Sequence, residues 1–232
     1  MKKNKAAIKA AFPKTLPVLT GYLFLGSAYG ILMNSKGFSL FWIIISSIFI
    51  FAGSLQFLSV SLLSAGFDPM GTLLITFMVN ARHLFYGLSM LGKFRGTGRL
   101  KPYLIFSLTD ETFSLHCSVE APEKVDRSRF LFWISLLNHL YWISGSVLGG
   151  LLGGLFRFNT KGIDFVLTAL FVVIFIEQWK STRNHIPSII GIASAIVCRL
   201  LFGPEKFLIV ALVTILLMVT ILRHPIERRN KA

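Results

Sequence analysis

The sequence has few charged residues: 15% of its 232 residues are Asp, Glu, Lys or Arg, whereas 54% are hydrophobic. Soluble globular proteins usually carry about 25% charged residues. The shortfall is too large for a water-soluble domain of this length. The apolar residues form runs of the length that a helix needs, about 20 residues, to cross a bilayer core of about 30 Å.

Acidic residues and cysteines are also scarce, with 10 Asp and Glu residues against 24 Lys and Arg residues, and 2 cysteines. Cys117 and Cys198 lack C-x-x-C spacing, so neither a disulfide framework nor a zinc site is indicated. The sequence contains no Gly-rich phosphate loop, no His-Glu-x-x-His and no Gly-x-Ser-x-Gly motif. We therefore expect no ATP hydrolysis, no metal, no cofactor and no enzymatic activity.

The net charge of +14 would suggest nucleic-acid binding in a soluble protein. Here the basic residues lie mainly at the chain ends and between the apolar runs. That distribution is typical of cytoplasmic loops that face anionic lipid. The sequence therefore predicts a multi-pass protein of the cell (inner) membrane, with the lipid bilayer and not nucleic acid as a partner.

The predicted fold class is an all-α, polytopic integral membrane helical bundle with seven or eight hydrophobic segments. In chain order, segments one to eight cover residues 16–33, 40–64, 70–92, 103–119, 130–155, 163–179, 186–201 and 207–222. A membrane transport domain would occupy residues 16–222. It would lie between a basic cytoplasmic N-terminus, residues 1–15, and a basic cytoplasmic C-terminus, residues 223–232.

One group of basic residues conflicts with a simple topology. If every segment crosses and the N-terminus is inside, then Lys93, Arg95, Arg99 and Lys101 fall outside, against the cytoplasmic bias of Lys and Arg. Re-entrant or broken helices in segments three and four would return this group to the inside. Irregular backbone at membrane depth is tolerated where it lines an enclosed cavity. Both topologies stay open.

Segment three carries Asn80, Arg82 and His83 in its middle. An ionised Arg at the centre of a membrane costs at least about 2.5–3.5 kcal/mol, so something must compensate its charge. Arg82 could be structural and bond a neighbouring helix end, or it could anchor an anion or carboxylate in a polar cavity. The adjoining polar residues favour the anchor.

Segment four supplies counter-charges in Asp110 and Glu111. Adjacent residues lie about 100° apart on a helix, so both carboxylates cannot face one neighbour. One could pair with Arg82 while the other holds a proton or meets a substrate ammonium, since close carboxylates favour a proton on one of them. The alternative is a helix N-terminus at the membrane edge, which Thr109 and the two acids would cap.

Segments one, two and five contain small residues and single amides. A Gln deep in an apolar span, such as Gln56, bonds another helix about as often as a ligand, so both roles stay open. Glycines at four-residue spacing predict close helix–helix packing. The glycines expected to pack are Gly26, Gly30, Gly53, Gly145, Gly149 and Gly153.

Three motifs together resemble the AzlC/BrnF family, the large subunits of branched-chain amino acid exporters. They are Gly53-Ser54-Leu55-Gln56, Asn80-Ala81-Arg82-His83 followed by Tyr86-Gly87-Leu88-Ser89, and Thr109-Asp110-Glu111, with Asn138, Tyr141-Trp142 and Gly145 in the same pattern. The resemblance covers residues 12–222. It implies export of leucine, isoleucine, valine and analogues, together with a small hydrophobic membrane subunit of the AzlD/BrnE type.

A zwitterionic amino acid needs one anchor for its carboxylate, one for its ammonium and an apolar pocket. We expect Arg82 to bind the carboxylate, and an acidic residue to bind the ammonium or to carry a coupling proton. The expected substrate-binding residues are Gln56, Asn80, Arg82, Asp110 and Asn138, and the expected proton-coupling residues are His83, Asp110 and Glu111.

Two other functions stay open at this point. A transporter or channel for a different small solute would have the same architecture. An intramembrane enzyme would use Asp110, Glu111 and His83 as acid–base or metal-binding groups.

Overall fold

The computed structural model describes residues 2–64, 66, 68–155, 172, 175–176, 179–180 and 184–222. Those residues form helices and their connections, with no strand among them. Three of the described helices are long and apolar enough to cross a membrane, at Asn4–Ser35, Arg127–Leu155 and Ile186–Gly203. The all-α class is confirmed. Most of predicted segment six and the basic C-terminus, 223–232, lie outside the described residues.

The chain divides into two compact units, Met1–Val166 and Leu167–Ala232. The first unit begins with helix α1, Lys2–Ser35, which includes both the basic N-terminal stretch and predicted segment one. Alanines favour helix in the basic stretch, and Pro13 and Pro17 lie inside the helix without ending it.

Helix α7, Arg127–Leu155, packs along α1 and runs in the same direction. Asn4 accepts a hydrogen bond from Arg129 near the start of both helices, and Gly30 meets Gly149 farther along. A Cβ on Gly30 would overlap the backbone of Ser146. Small residues are therefore required where these two backbones approach each other.

The glycines predicted to pack lie at such close approaches. Gly53 faces the ring of Trp142, where an added Cβ would come within 3.2 Å of Cη2. The glycines between α1 and α7 are Gly26, Gly30, Gly145, Gly149 and Gly153.

Predicted segment two is not one span but two short helices, α2 (Leu40–Phe49) and α3 (Gly53–Ser64). Between them, Phe51 has a left-handed backbone with φ of 40°, which non-glycine residues seldom adopt. The chain reverses direction at this break, where Gln56 Nε2 comes within 3.5 Å of Ser47 Oγ. We call this pair of helices the first hairpin.

Predicted segment three is one unbroken helix, α4 (Pro69–Met90). At 1.5 Å per residue it is about 33 Å long. Asp68 caps it by accepting a hydrogen bond from the Gly71 backbone N–H at 2.9 Å. Segment three is therefore not broken, and the charge of Arg82 is compensated by a neighbouring element and not by unwinding of its own helix.

Predicted segment four is broken, after a short 3₁₀ turn at Gly98–Leu100, into α5 (Lys101–Phe106) and α6 (Asp110–Ser118). Thr109 caps α6 by accepting a hydrogen bond from the Thr112 backbone N–H at 3.2 Å. We call this pair of helices the second hairpin. The breaks therefore occur in segments two and four, and not in three and four.

The two hairpins enter the first unit from opposite ends of α7. At one end, Leu40, where α2 begins, lies beside Gly150 late in α7. At the other end, Lys93 Nζ donates to the Val119 carbonyl at 2.9 Å, and Arg127 donates to the Lys93 carbonyl. Lys93, the first of the basic residues after α4, thus lies near the start of α7, at the end of the first unit where α1 also begins.

In the second unit, predicted segments seven and eight are two parts of α8, Ile186–Ile221. Gly203 interrupts this helix with φ of 73° and ψ of 174°, a conformation that favours glycine. Cys198 lies 3.8 Å from the Thr214 hydroxyl, so the parts on either side of Gly203 contact each other.

Candidate functional site

Helix α4 brings Arg82 to the tips of both hairpins. Its Nη1 lies 2.9 Å from Asp110 Oδ2 in the second hairpin, and its Nη2 donates to Ser54 Oγ in the first at 2.5 Å. Tyr86, one turn later on α4, donates to the other oxygen of Asp110 at 2.6 Å. Of the two carboxylates that the sequence left open, Asp110 is the one that pairs with Arg82.

The Arg82–Asp110 ion pair is only half-buried. The side chains of Arg82 and Asp110 are 32% and 20% exposed. Yet Arg82 Nε, Asn80 Oδ1 and His83 Nδ1 are buried and have no hydrogen-bond partner among the described residues. Such groups are uncommon in folded proteins and call for a further partner. The middle of α4 therefore carries polar atoms without partners, on the same helix as an ion pair that is exposed enough for a ligand to reach.

Glu111 extends to another side of α6, towards α1. The Tyr22 hydroxyl donates to Glu111 Oε2 at 2.7 Å and lies 2.6 Å from Thr109 Oγ1. Tyr22 is buried, and its ring packs edge-on against Phe51 in the tip of the first hairpin and against Trp142 in α7. One tyrosine of α1 thus contacts the tips of both hairpins.

Asn138 lies fully buried in α7, behind the second hairpin. Its Nδ2 donates to Thr112 Oγ1 at 3.0 Å, and Thr109 donates to the same oxygen at 2.9 Å. Asn138 Oδ1 has no hydrogen-bond partner in the described part of the chain. Polar groups therefore link Asn138 to Glu111 without interruption.

The sequence also allowed segment four to contain a helix N-terminus capped by Thr109 and the two acids, and the structure confirms this cap. Thr109 is the N-cap of α6, and both acids occupy its first turn, where the positive end of the helix favours carboxylates. This helix begins at the tip of a hairpin, since its Thr112 contacts Asn138 near the middle of α7.

Gln56 lies apart from the ion pair. Its Oε1 accepts a hydrogen bond from Trp142 Nε1 at 2.8 Å, and its Nε2 donates to Ser47 at 3.5 Å. The side chain is fully buried. Of the two roles that the sequence left open, this geometry is that of a bond between helices.

His83 follows Arg82 on α4, and its ring lies edge-on to Tyr86 with 5.6 Å between centroids. The structure thus brings Arg82, His83 and Asp110 together on one side of the second hairpin, whereas Asn80, two residues before Arg82, points to another side of α4. Glu111 and Asn138 lie on the other sides of the second hairpin, towards α1 and α7. Within the described ranges, no group of three or more His, Cys, Asp or Glu residues could hold a metal ion.

Sequence reasoning missed three contributors to this site: Tyr22, Ser54 and Tyr86. The only signal for Tyr22 was a polar hydroxyl within an apolar run. Ser54 and Tyr86 stood inside the recognised motifs, but their contacts are with residues 28 and 24 positions away. Sequence spacing on one helix could not reveal those contacts.

Long apolar helices, two opposed hairpins and a half-buried ion pair at their tips define a helical membrane protein with a polar site at the broken helices. A family profile described as "AzlC protein" matches residues 17–156, which include α2 to α7. The chain belongs to the AzlC family, as the sequence motifs indicated.

Individual relatives agree with this assignment. The branched-chain amino acid transport protein AzlC of Bacillus subtilis is 50% identical over 223 residues, which are 96% of this chain and 88% of that protein. An uncharacterized membrane protein of Helicobacter pylori is 45% identical over 95% of this chain and 97% of its own length. Inner membrane protein YgaZ of Escherichia coli is 27% identical over 73% and 72%. No solved structure matches the chain.

Proposed function

We propose that this chain is the large subunit of an exporter of branched-chain amino acids: leucine, isoleucine, valine and their analogues. Export is driven by a gradient and requires a small hydrophobic membrane subunit of the AzlD/BrnE type. The name of the Bacillus relative supports the substrate class. The observation that carries the proposal is the half-buried ion pair between Arg82 and Asp110.

A zwitterion is well suited to enter an ion pair of this kind. The substrate carboxylate replaces Asp110 at the Arg82 guanidinium, and the substrate ammonium takes the place of Arg82 beside Asp110. Every charge keeps an opposite partner, so no unpaired ion is left in a poorly solvated site. A simple anion or cation would leave either Asp110 or Arg82 without a partner.

The groups around Arg82 favour a carboxylate at that position. Ser54 lies in the first turn of α3, and the positive end of a helix stabilises anions. Arg82 Nε is a further donor without a partner among the residues described. Asn80 Oδ1, also on α4, is an acceptor without a partner among the residues described.

The proposal is tested by leucine efflux from cells that lack their own exporters. The cells are loaded with a leucine-containing dipeptide, and external leucine is followed over time. Five strains are compared: no transporter, this chain alone, the chain with its small hydrophobic subunit, that pair with Arg82→Ala, and that pair with Arg95→Ala. Arg95→Ala is the matched control, because Arg95 is an exposed arginine of the loop after α4.

We expect rapid efflux from the intact pair and from the Arg95→Ala pair, and background efflux from the Arg82→Ala pair. Excess isoleucine or valine should compete with leucine. Background efflux from the intact pair, with both chains present in the membrane, would contradict the proposed substrate. Full efflux from this chain alone would contradict the need for a second subunit.

A further inference from the structure

A buried row of hydroxyl groups connects Glu111 to α7. Glu111 Oε2 lies 2.7 Å from the Tyr22 hydroxyl, which lies 2.6 Å from Thr109 Oγ1, which lies 2.9 Å from Thr112 Oγ1. Tyr22, Thr109 and Thr112 are all buried. Each of these three contacts has hydrogen-bond length, so each needs one hydrogen between its two oxygens.

The hydrogens can be counted because every hydroxyl carries only one. With Thr109 donating to Thr112, the one hydrogen of Tyr22 can complete either its contact with Thr109 or its contact with Glu111, but not both. If Tyr22 donates to an ionised Glu111, the contact between Tyr22 and Thr109 is left without a hydrogen. With a protonated Glu111, the donors run from Glu111 to Tyr22, to Thr109 and to Thr112, and every contact is complete.

The same oxygen positions also suit an ionised Glu111. In that state each hydroxyl rotates, so that Thr112 donates to Thr109, Thr109 to Tyr22 and Tyr22 to Glu111. All three contacts are again complete. The half-buried carboxyl of Glu111 can thus gain or lose a proton without leaving any of these hydroxyl contacts unsatisfied.

We infer that Glu111 carries the coupling proton of transport and that Tyr22 is its positioning residue. The inference rests on the proposed export of amino acids and deepens it by naming the driving ion. Glu111 takes up one proton from water at one membrane face and releases it at the other. Because an inward proton gradient can drive export only if protons and substrate move in opposite directions, the transport is an antiport.

The other charged and titratable groups near Glu111 are Asp110, Arg82, His83 and two tyrosines. Asp110 is paired with Arg82 and accepts a hydrogen bond from Tyr86. His83 lies against Tyr86 on α4. From α7, uncharged Asn138 and Trp142 pack against this region, and from α1 Tyr22 is the titratable group that bonds Glu111. Glu111 is the carboxyl of this cluster that has neutral hydroxyl partners and no cation.

The test separates coupling from transport. The chain and its small subunit are reconstituted in lipid vesicles, and two rates are measured for each variant. The first is exchange of labelled for unlabelled leucine at equal pH on both sides. The second is accumulation of leucine driven by an imposed pH gradient. The variants are Glu111→Gln, which fixes the neutral form, and Tyr22→Phe, which removes one hydroxyl from the row.

Tyr29→Phe is the matched control. Tyr29 lies on the same helix as Tyr22, is fully buried and loses one hydroxyl contact in the same way, to Ser46. We expect gradient-driven accumulation to vanish in Glu111→Gln and to fall about tenfold in Tyr22→Phe, the factor that corresponds to one hydrogen bond to a charged group. Exchange should persist in both variants, and Tyr29→Phe should keep both activities.

Each outcome is decisive. If the wild type does not exchange leucine, the proposed function fails. If the wild type exchanges leucine and the Glu111→Gln variant still accumulates leucine when a pH gradient is imposed, the assignment of the coupling proton to Glu111 is overturned. If Tyr22→Phe and Tyr29→Phe lose coupling equally, the positioning role of Tyr22 is overturned.

Infrared spectroscopy gives a readout that does not depend on transport. The reconstituted wild type should show a protonated carboxyl band that disappears as the pH is raised. That band should be absent from Glu111→Gln and retained in Asp110→Asn. Its loss in Asp110→Asn with retention in Glu111→Gln would assign the proton to Asp110 and overturn the inference.

Discussion

Arg82 and Asp110 join the middle of α4 to the first turn of α6 through a 2.9 Å ion pair, although α4 is an unbroken helix and α6 begins at a break. The contact lets a charged residue lie in an apolar segment without unwinding its own helix. It also concentrates opposite charges at the tips of two hairpins that enter from opposite ends. Transporters commonly build substrate sites from broken helices of this kind.

Replacing Arg82 by Lys should lower leucine efflux at least about tenfold, the effect of losing one charge-assisted hydrogen bond. Lysine keeps the charge, but its compact ammonium cannot reproduce the fork that reaches Asp110 and Ser54 at once. The measurement is the initial rate of efflux at matched expression, with Arg95→Lys as the control. A normal rate in Arg82→Lys would rule out a bidentate anchor.

Neutralising one member of the ion pair should destabilise the protein more than neutralising both. Asp110→Asn leaves Arg82 without its counter-charge, whereas Arg82→Gln combined with Asp110→Asn removes both charges. We expect the single variants to melt a few degrees lower in detergent, as about 1 kcal/mol shifts Tm by about 2–4 °C at this chain length. The double variant should regain the melting temperature that the single variants lose, but it should not transport leucine. Additive losses would mean that the two residues act independently.

Gly30→Ala should disrupt the packing of α1 on α7. Its new Cβ would overlap the Ser146 backbone, and overpacking of this kind costs about 1–3 kcal/mol. Gly21→Ala, on the same helix, has open space at the Cβ position and should be neutral or slightly stabilising. Thermal unfolding of the two variants in the same detergent makes the comparison. Equal melting temperatures would contradict the close approach.

Gln56→Ala should weaken folding and leave leucine binding nearly intact. It removes the acceptor of buried Trp142 Nε1, which costs about 1–3 kcal/mol. Asn80→Ala should weaken leucine binding and leave folding nearly intact, because Asn80 Oδ1 has no partner to lose within the part of the chain that the structure describes. Melting temperature and leucine affinity are measured on both variants. A large loss of affinity in Gln56→Ala with unchanged stability would return Gln56 to the substrate site.

The amino-acid sequence by itself determined the class of protein and the residues that need partners. The scarcity of charge and the apolar runs require a lipid environment, because no aqueous fold could cover so much apolar surface. Arg82 in the middle of such a run requires a counter-charge, and the acids at 110 and 111 were the evident source. The four-residue spacing of glycines defined a surface on which another helix can approach closely. All of these are properties of composition or of a single helix.

Only the tertiary structure decided where the helices break and which groups meet. The turn at Phe51 lies in an apolar run, and its ring stacks on His139 of α7 with 4.2 Å between centroids, so the break depends on a residue far along the chain. The hydrogen bond between Tyr22 and Glu111 likewise joins residues 89 positions apart in the sequence. A sequence states which side chains are polar, but hydrogen bonds depend on distances of about 3 Å between elements, and those distances are fixed only when the helices pack.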